Sequence, residues 1–140
     1  MNQLYKTVEA EANSLTVLSQ QPVQVYKRIS PTSKEERIRV AYFSSWMTQH
    51  PVGFCLHHGL KHHDRSKFEI FCINTANADD KSTERQQIMQ HCEHFIEVTG
   101  RSDNDIANVI REAKIDILLD LNGIWEYHRY RSLLNMILIE

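Results

Sequence analysis

No apolar run in this sequence approaches the roughly 20 residues that a helix needs to cross a bilayer, and Met1-Asn-Gln-Leu-Tyr-Lys6 lacks the apolar core of a signal peptide. No membrane partner is expected, and the expected location is cytoplasmic or nucleocytoplasmic. Cysteine is scarce and odd in number. Cys55, Cys72 and Cys92 lie in apolar surroundings, which fits reduced, packed thiols better than a secreted disulfide framework. Positive charge is not in excess: 16 Lys and Arg against 18 Asp and Glu leave a formal charge of −2, too weak a field to hold a nucleic acid by its phosphates. Gly-x-Gly-x-x-Gly and Gly-x-x-x-x-Gly-Lys-Ser/Thr are both absent, which argues against a standard dinucleotide site or a P-loop. Low-complexity tracts are missing too.

What is present, 41% hydrophobic and 24% charged residues in 140, is the composition of an ordinary domain with a real core. Leu4, Val8, Leu15 and Leu18 give residues 1–20 a loosely helical pattern, read as a helical stub. Residues 21–36, with Pro22, Pro31 and Ser33-Lys34-Glu35-Glu36, read as a linker, and the domain proper spans 37–140. There a unit recurs in architecture, though not in sequence: a β-rich run, a turn, a helical stretch. The runs predict strands over 38–43, 68–73, 94–98 and 115–121. Helices are predicted over 51–63 and 81–92. A third opens at Ser102, where a capping-box-like Ser-Asp-Asn-Asp precedes Ile106, Val109, Ile110 and Ala113 at helical spacing. Strands alternating with helices imply an α/β fold, a Rossmann-like parallel sheet with helices on both faces.

In such sheets ligands bind beyond the carboxyl ends of the strands. His50 follows the first strand and Asp120-Leu121-Asn122-Gly123 closes the fourth, so both belong to that rim. His50 stands directly before Pro51, a residue suited to the first helical turn. It could accept a substrate proton there, or simply bond the backbone as a cap. Asp120 ends an Ile-Leu-Leu run and is either a working carboxylate or the head of an Asx turn, with Asn122 and Gly123 making a tight exit. His57, His58, His62 and His63 invite a zinc reading because His58 and His62 are four apart, but no carboxylate or cysteine is obliged to complete a set, and no metal is expected. Trp125, Tyr127, His128, Arg129, Tyr130 and Arg131 could stack on a base or sugar, or form a packed helix surface. The apolar run Leu133–Ile139, ending at Glu140 without a cap, reads as cut short.

Several blocks then occur in one order: Arg37-Ile-Arg-Val-Ala-Tyr-Phe-Ser-Ser45, His50-Pro-Val-Gly53, His63-Asp-Arg-Ser-Lys-Phe-Glu-Ile-Phe-Cys72, His94-Phe-Ile and Ile115-Asp-Ile-Leu-Leu-Asp-Leu-Asn-Gly123. Together they resemble the catalytic region of the O-GlcNAc transferase family, the protein O-linked N-acetylglucosaminyltransferases with their SPINDLY-like relatives. The resemblance implies the amino-terminal Rossmann-like lobe of a GT-B glycosyltransferase. Members transfer N-acetylglucosamine from UDP-N-acetylglucosamine to Ser and Thr hydroxyls of acceptor proteins, with inversion and without metal or cofactor. It makes His50 the active-site histidine and Asp120 the acidic position of the strand-four exit. Pro51, Asn122, Gly123 and Arg129 are carried over as substrate-binding positions, and residues 3–19 resemble the end of a tetratricopeptide array.

The departures are specific. Trp46-Met47 stands where members have Asp-Phe or a similar pair, and Ile124-Trp125 where they have Tyr-Thr or His-Thr. Members also continue into an Arg-Pro-Ala-Pro segment and a second lobe that holds most UDP contacts. The expectation is therefore a truncated lobe, inactive alone, that binds UDP-sugar weakly or not at all. The alternative is a non-catalytic βα interaction domain derived from it. A phospho-acceptor receiver domain would want carboxylates after the first strand, where Ser44-Ser45-Trp46 offers none.

Overall fold

The two β-rich runs over 38–43 and 68–73 become the centre of a sheet. In a computed structural model that describes residues 37–75 and 78–122, the element order is β1 (Ile38–Ser44), α1 (Pro51–Leu60), β2 (Phe68–Asn74), α2 (Thr83–His91), β3 (His94–Glu97), α3 (Asp103–Glu112) and β4 (Ile117–Asp120). The four strands run parallel in the order β3-β2-β1-β4. From β1 the chain steps outward to β2 and β3, then returns across β1 to lay down β4. Right-handed crossovers in opposite directions put their helices on opposite faces. The packing agrees. Leu56 and Leu60 of α1 and Ile88 of α2 join Val40, Ile70 and Cys72 on one face, with Met47 beneath them. Ile106 and Ile110 of α3 join Ala41, Phe43, Phe71 and Ile73 on the other. Successive residues of β1 and β2 thus feed alternate cores, as the two-residue period of a strand requires. The Rossmann-like α/β expectation is met.

One helix opens on the serine cap the sequence implies, and a second opens in the same way. Ser82 Oγ accepts from the Arg85 amide (3.3 Å) at the start of α2, and Ser102 Oγ accepts from the Asp105 amide (3.2 Å) at the start of α3. The Ser102 hydroxyl in turn donates to Asp105 Oδ2 (2.6 Å), so the acidic residue of the expected box closes on the cap's side chain.

The predicted 51–63 helix is corrected: α1 stops at Leu60. Arg65 Nη2 donates to the Leu60 carbonyl (2.9 Å), and Asp64 gathers the Ser66 amide (3.0 Å) into a turn. His62 therefore lies beyond the helix, and His58 and His62 do not share a helical face. The fourth strand is shorter than 115–121. Lys114 takes a positive φ of 51°, and the Ile115 amide turns back to the Ile110 carbonyl (3.4 Å) to finish α3. The helical stub over 1–20, the linker over 21–36, Gly123, Arg129, the aromatic and basic cluster and the apolar run lie outside the described residues.

Candidate functional site

Because α1 and α2 lie on one face and α3 on the other, the chain changes direction between β1 and β4. In parallel sheets such a change of direction is where ligands bind, at the strands' carboxyl ends. The two strands are in register, with Phe43 opposite Asp120, and the Leu121 amide still reaches the Phe43 carbonyl (3.0 Å).

Asn122 ties the two exits together. Its Oδ1 accepts from the Ser45 amide (2.7 Å), the Ser45 hydroxyl (2.9 Å) and, more weakly, the Ser44 hydroxyl (3.4 Å). An amide hydrogen can face only the oxygen end of the carboxamide, so this contact sets which way the group points. Asn122 is only 3% exposed, yet its Nδ2 has no partner among the described residues. Leaving such a donor buried and unmet costs roughly 1–3 kcal/mol. One residue earlier, Asp120 Oδ1 accepts from the Asn122 amide (2.9 Å), an Asx turn that ends β4. Its register with Phe43 puts the Asp120 side chain on the α3 face, and among the described residues only its Oδ1 is engaged.

His50 enters the rim from the α1 side. It is the N-cap of α1, with extended backbone (φ −143°, ψ 152°), and Pro51 supplies the first helical residue. Its Nδ1 accepts from the Val52 amide at 3.2 Å. That bond occupies the Nδ1 lone pair, so a neutral His50 carries its hydrogen on Nε2, which is then a donor. To take up a proton at Nε2, the ring would first have to shift tautomer and release the cap. Trp46 stacks on the imidazole, with centroids 4.5 Å apart and planes 20° from parallel. The Trp46 amide donates to Ser44 Oγ (2.9 Å), which anchors the loop carrying the indole.

Gly53 explains how that loop lies so close to α1. A Cβ at this position would sit 2.1 Å from the Thr48 carbonyl oxygen, so only glycine admits the approach. Asp80 braces the same loop. Burial raises its carboxyl, but hydrogen bonds from the Thr48 and Ser82 side chains and the charge of Arg85 outweigh that and hold it below the usual carboxylate range. Beside the rim, on the α1 face, an apolar groove of about 400 Å³ runs between α1 and β4, lined by Tyr42, Pro51, Val52, Leu56, Leu60 and Leu121.

Of the carried-over residues, the structure gathers His50, Pro51, Asp120 and Asn122 at one rim, while Gly123 and Arg129 lie outside the described residues. Ser45 and Trp46 are the rim residues that sequence reasoning left without a role. The one available signal was a pair of small hydroxyl residues ending β1 in the same layer as an Asn ending β4. The other histidines scatter. His57 is buried, His58 bonds the Phe54 carbonyl (2.9 Å), and His63 meets the Tyr42 hydroxyl (2.7 Å). Among the described residues no three His, Cys, Asp or Glu are placed to hold a metal ion, and no helix is long and apolar enough to cross a membrane.

Comparisons with known proteins converge. Residues 8–131 match the model of glycosyl transferase family 41. The chain is 36% identical over 88 residues to the probable UDP-N-acetylglucosamine–peptide N-acetylglucosaminyltransferase SEC of Arabidopsis thaliana, covering 63% of this chain and 9% of that protein. It is 32% identical over 89 residues to the UDP-N-acetylglucosamine–peptide N-acetylglucosaminyltransferase of Caenorhabditis elegans, covering 63% and 8%. Its fold matches a solved Thermobaculum terrenum O-GlcNAc transferase mutant with a TM-score of 0.62 and 25% identity, covering 71% of this chain and 18% of that one. The matched stretch thus spans about a tenth of the length of these curated relatives.

Proposed function

As a member of glycosyl transferase family 41, this chain, we propose, supplies the acceptor-side lobe of an inverting transferase that moves N-acetylglucosamine from UDP-N-acetylglucosamine to Ser and Thr hydroxyls of proteins. The observation that supports the reading is the β1–β4 rim, a topological switch point at which His50 caps α1 on one side while Asp120 and the buried Asn122 amide end β4. The names of the relatives supply the donor and the acceptor class. Because the matched stretch is so small a share of those proteins, the chain acts only when a second lobe presents the nucleotide. Free thiols and a protein acceptor fit a cytoplasmic or nucleocytoplasmic setting.

The reaction is a direct displacement. The acceptor hydroxyl oxygen bonds to the anomeric carbon, the bond from that carbon to the diphosphate oxygen breaks, and the hydroxyl proton must leave. His50, with Nδ1 committed to the helix, donates from Nε2 to a sugar or phosphate oxygen. Asn122 Nδ2 adds a second donor, and burial strengthens it. The second oxygen of Asp120 and the departing diphosphate are then the two acceptors for the proton. Pro51 holds the cap in place, and Gly123 and Arg129 complete the set.

The test has two arms. Calorimetry on the 140-residue chain should detect no UDP binding in the micromolar range. A chimera in which residues 37–122 replace the matching stretch of the Caenorhabditis elegans relative should transfer sugar, and His50→Ala in it should lower kcat by about 100-fold, the usual cost of a lost donor. Micromolar UDP binding by the chain alone would refute the half-site reading. A folded chimera without transfer would support the non-catalytic interaction domain, which the Trp46 ring covering one face of His50 favours.

A further inference from the structure

Away from the rim, two thiols belong to one packed cluster. Cys72 lies in the middle of β2, fully buried, on the face that carries α1 and α2. Cys92 caps the end of α2 in extended conformation (φ −89°, ψ 156°), half-exposed, and packs against the cluster that contains Cys72. Cys72 and Cys92 thus share one packed cluster, close enough for each thiol to shift the ionisation of the other. As a thiol, Cys92 itself donates weakly to the Met89 carbonyl (3.7 Å).

A cation is fixed beside them. Arg65 Nη2 donates to the His91 and Leu60 carbonyls and Nη1 to Glu93 Oε1 (3.2 Å), so the guanidinium is bonded to both neighbours of Cys92. Glu93 opposes that field, but its charge is shared with Arg37 at 2.7 Å. The surroundings sort the two sulfurs. The neighbouring Cys72 thiol, the Cys92 amide and Arg65 hold the Cys92 thiol below its ordinary value against the pull of burial and Glu93, whereas Cys72 is pushed well up by Cys92 and by burial. Half-exposed thiolates beside cations are the reactive ones, and a buried neighbouring thiol can resolve them.

We propose that Cys92 and Cys72 form a hydroperoxide-reactive dithiol in which Cys92 is oxidised first and Cys72 resolves it to an intramolecular disulfide. The Cys92 thiolate attacks the terminal oxygen of ROOH. A sulfur–oxygen bond forms, the O–O bond breaks, and the alkoxide leaves and is protonated to ROH. Cys72 sulfur then attacks the Cys92 sulfenic acid, and hydroxide departs and takes the Cys72 proton as water. Two thiols lose two electrons and two protons, and one hydroperoxide becomes one alcohol and one water. The product ties the end of α2 to the centre of the sheet. Nothing in this depends on the glycosyltransferase reading.

The experiment uses the full chain, reduced, desalted and treated with hydrogen peroxide. Trypsin without reduction leaves the three cysteines on separate peptides, residues 40–61, 68–81 and 86–101. The expected result, in monomeric protein, is a linked 68–81/86–101 species lighter by two hydrogens. In Cys72→Ser, Cys92 should halt as the sulfenic acid and be trapped by dimedone at least about tenfold faster than the exposed Cys55. Dimedone reacting with Cys55 as fast as with Cys92, or a 72–92 linkage found only between molecules, would overturn the proposal. So would unlinked peptides from peroxide-treated wild type, a readout that stands even if Cys72→Ser fails to fold.

Discussion

At the amino ends of the strands, Arg37 meets Glu93 (2.7 Å), Arg39 meets Glu69 (3.1 Å), and His94 meets the other oxygen of Glu69 (2.8 Å). At the carboxyl ends of the same strands stand Ser44, Ser45, Thr75, Arg85 and Asn122, all of them buried. The amino edge consists of half-exposed ions that face counter-ions, with water available for whatever they leave over. The carboxyl edge has one ion pair, Arg85 with Glu97 (2.6 Å), and among the described residues three of its buried polar atoms, Asn122 Nδ2, Arg85 Nη1 and Thr75 Oγ1, have no partner. A fold selected for stability alone would not keep such groups, because each carries a desolvation cost. The difference teaches that charge is a poor guide to the site here. Unmet buried donors at a switch point are a better one.

Breaking the carboxyl edge should therefore cost more than breaking the amino edge. Gly53→Ala is the most severe single change: the new methyl would stand 2.1 Å from a backbone oxygen that cannot rotate away. Either α1 lifts or the 46–48 loop moves, and the His50 cap and Trp46 stack move with it. Overpacking of this kind costs about 3 kcal/mol, and in a domain this small each kcal/mol lowers Tm by roughly 4–8 °C. Circular dichroism melts measure it, and a Tm unchanged from wild type would show that the approach is not tight. Asn122→Ala comes next. It strands the Ser45 amide and hydroxyl, for about 1–3 kcal/mol, and should also depress transfer in the chimera.

Acid should expose a contrast of a different kind. His57 is buried, and its Nδ1 has no partner among the described residues. Burial first, then the charges of His58, Lys61 and His91, hold its imidazole below the ordinary 6.5, with Glu84 opposing. His63 is lowered too, by burial and Arg65. The unfolded chain thus binds more protons than the folded one as pH falls through 6.5, so stability present above that value is lost below it. The lowered carboxylates Asp80, Glu93 and Glu97 add the same sign of effect, but only as pH falls below about 4.5. Melts at pH 7.5 and 5.5 should differ, and His57→Gln should flatten the difference. An unchanged slope in that variant would remove His57 as the cause.

Much of this was readable in the residues, for identifiable reasons. Strands β1 and β2 announce themselves because both their faces are buried, and Ser102 announces α3 because capping is local chemistry. The end of α1 was not readable. It depends on Arg65 reaching back to the Leu60 carbonyl while also binding His91 and Glu93, which only the assembled sheet brings near. At the rim, the placement of His50 before Pro51 implied a cap, but not that Nδ1 would be the atom used. The Asx turn at Asp120 is local and was one of the two readings open. The Asn122–Ser45 bonds span 77 residues, and no pattern short of the parallel register could reveal them.

The smallest effect belongs to the amino edge and serves as its control. Arg39 is about one-third exposed, and its Nε meets Glu69 while Nη1 donates to the Ala113 carbonyl (2.8 Å). Replacing it by Gln removes a charge that water can largely replace for Glu69, and leaves His94 still bonded to that carboxylate. The expected loss is below about 1 kcal/mol and should shrink further at high salt, as for any solvent-accessible pair. The melts need only be compared with those of Asn122→Ala. If Arg39→Gln proves the more damaging, the ionic edge is the structural keystone, and the unmet donors at the other edge lose their claim to mark the site.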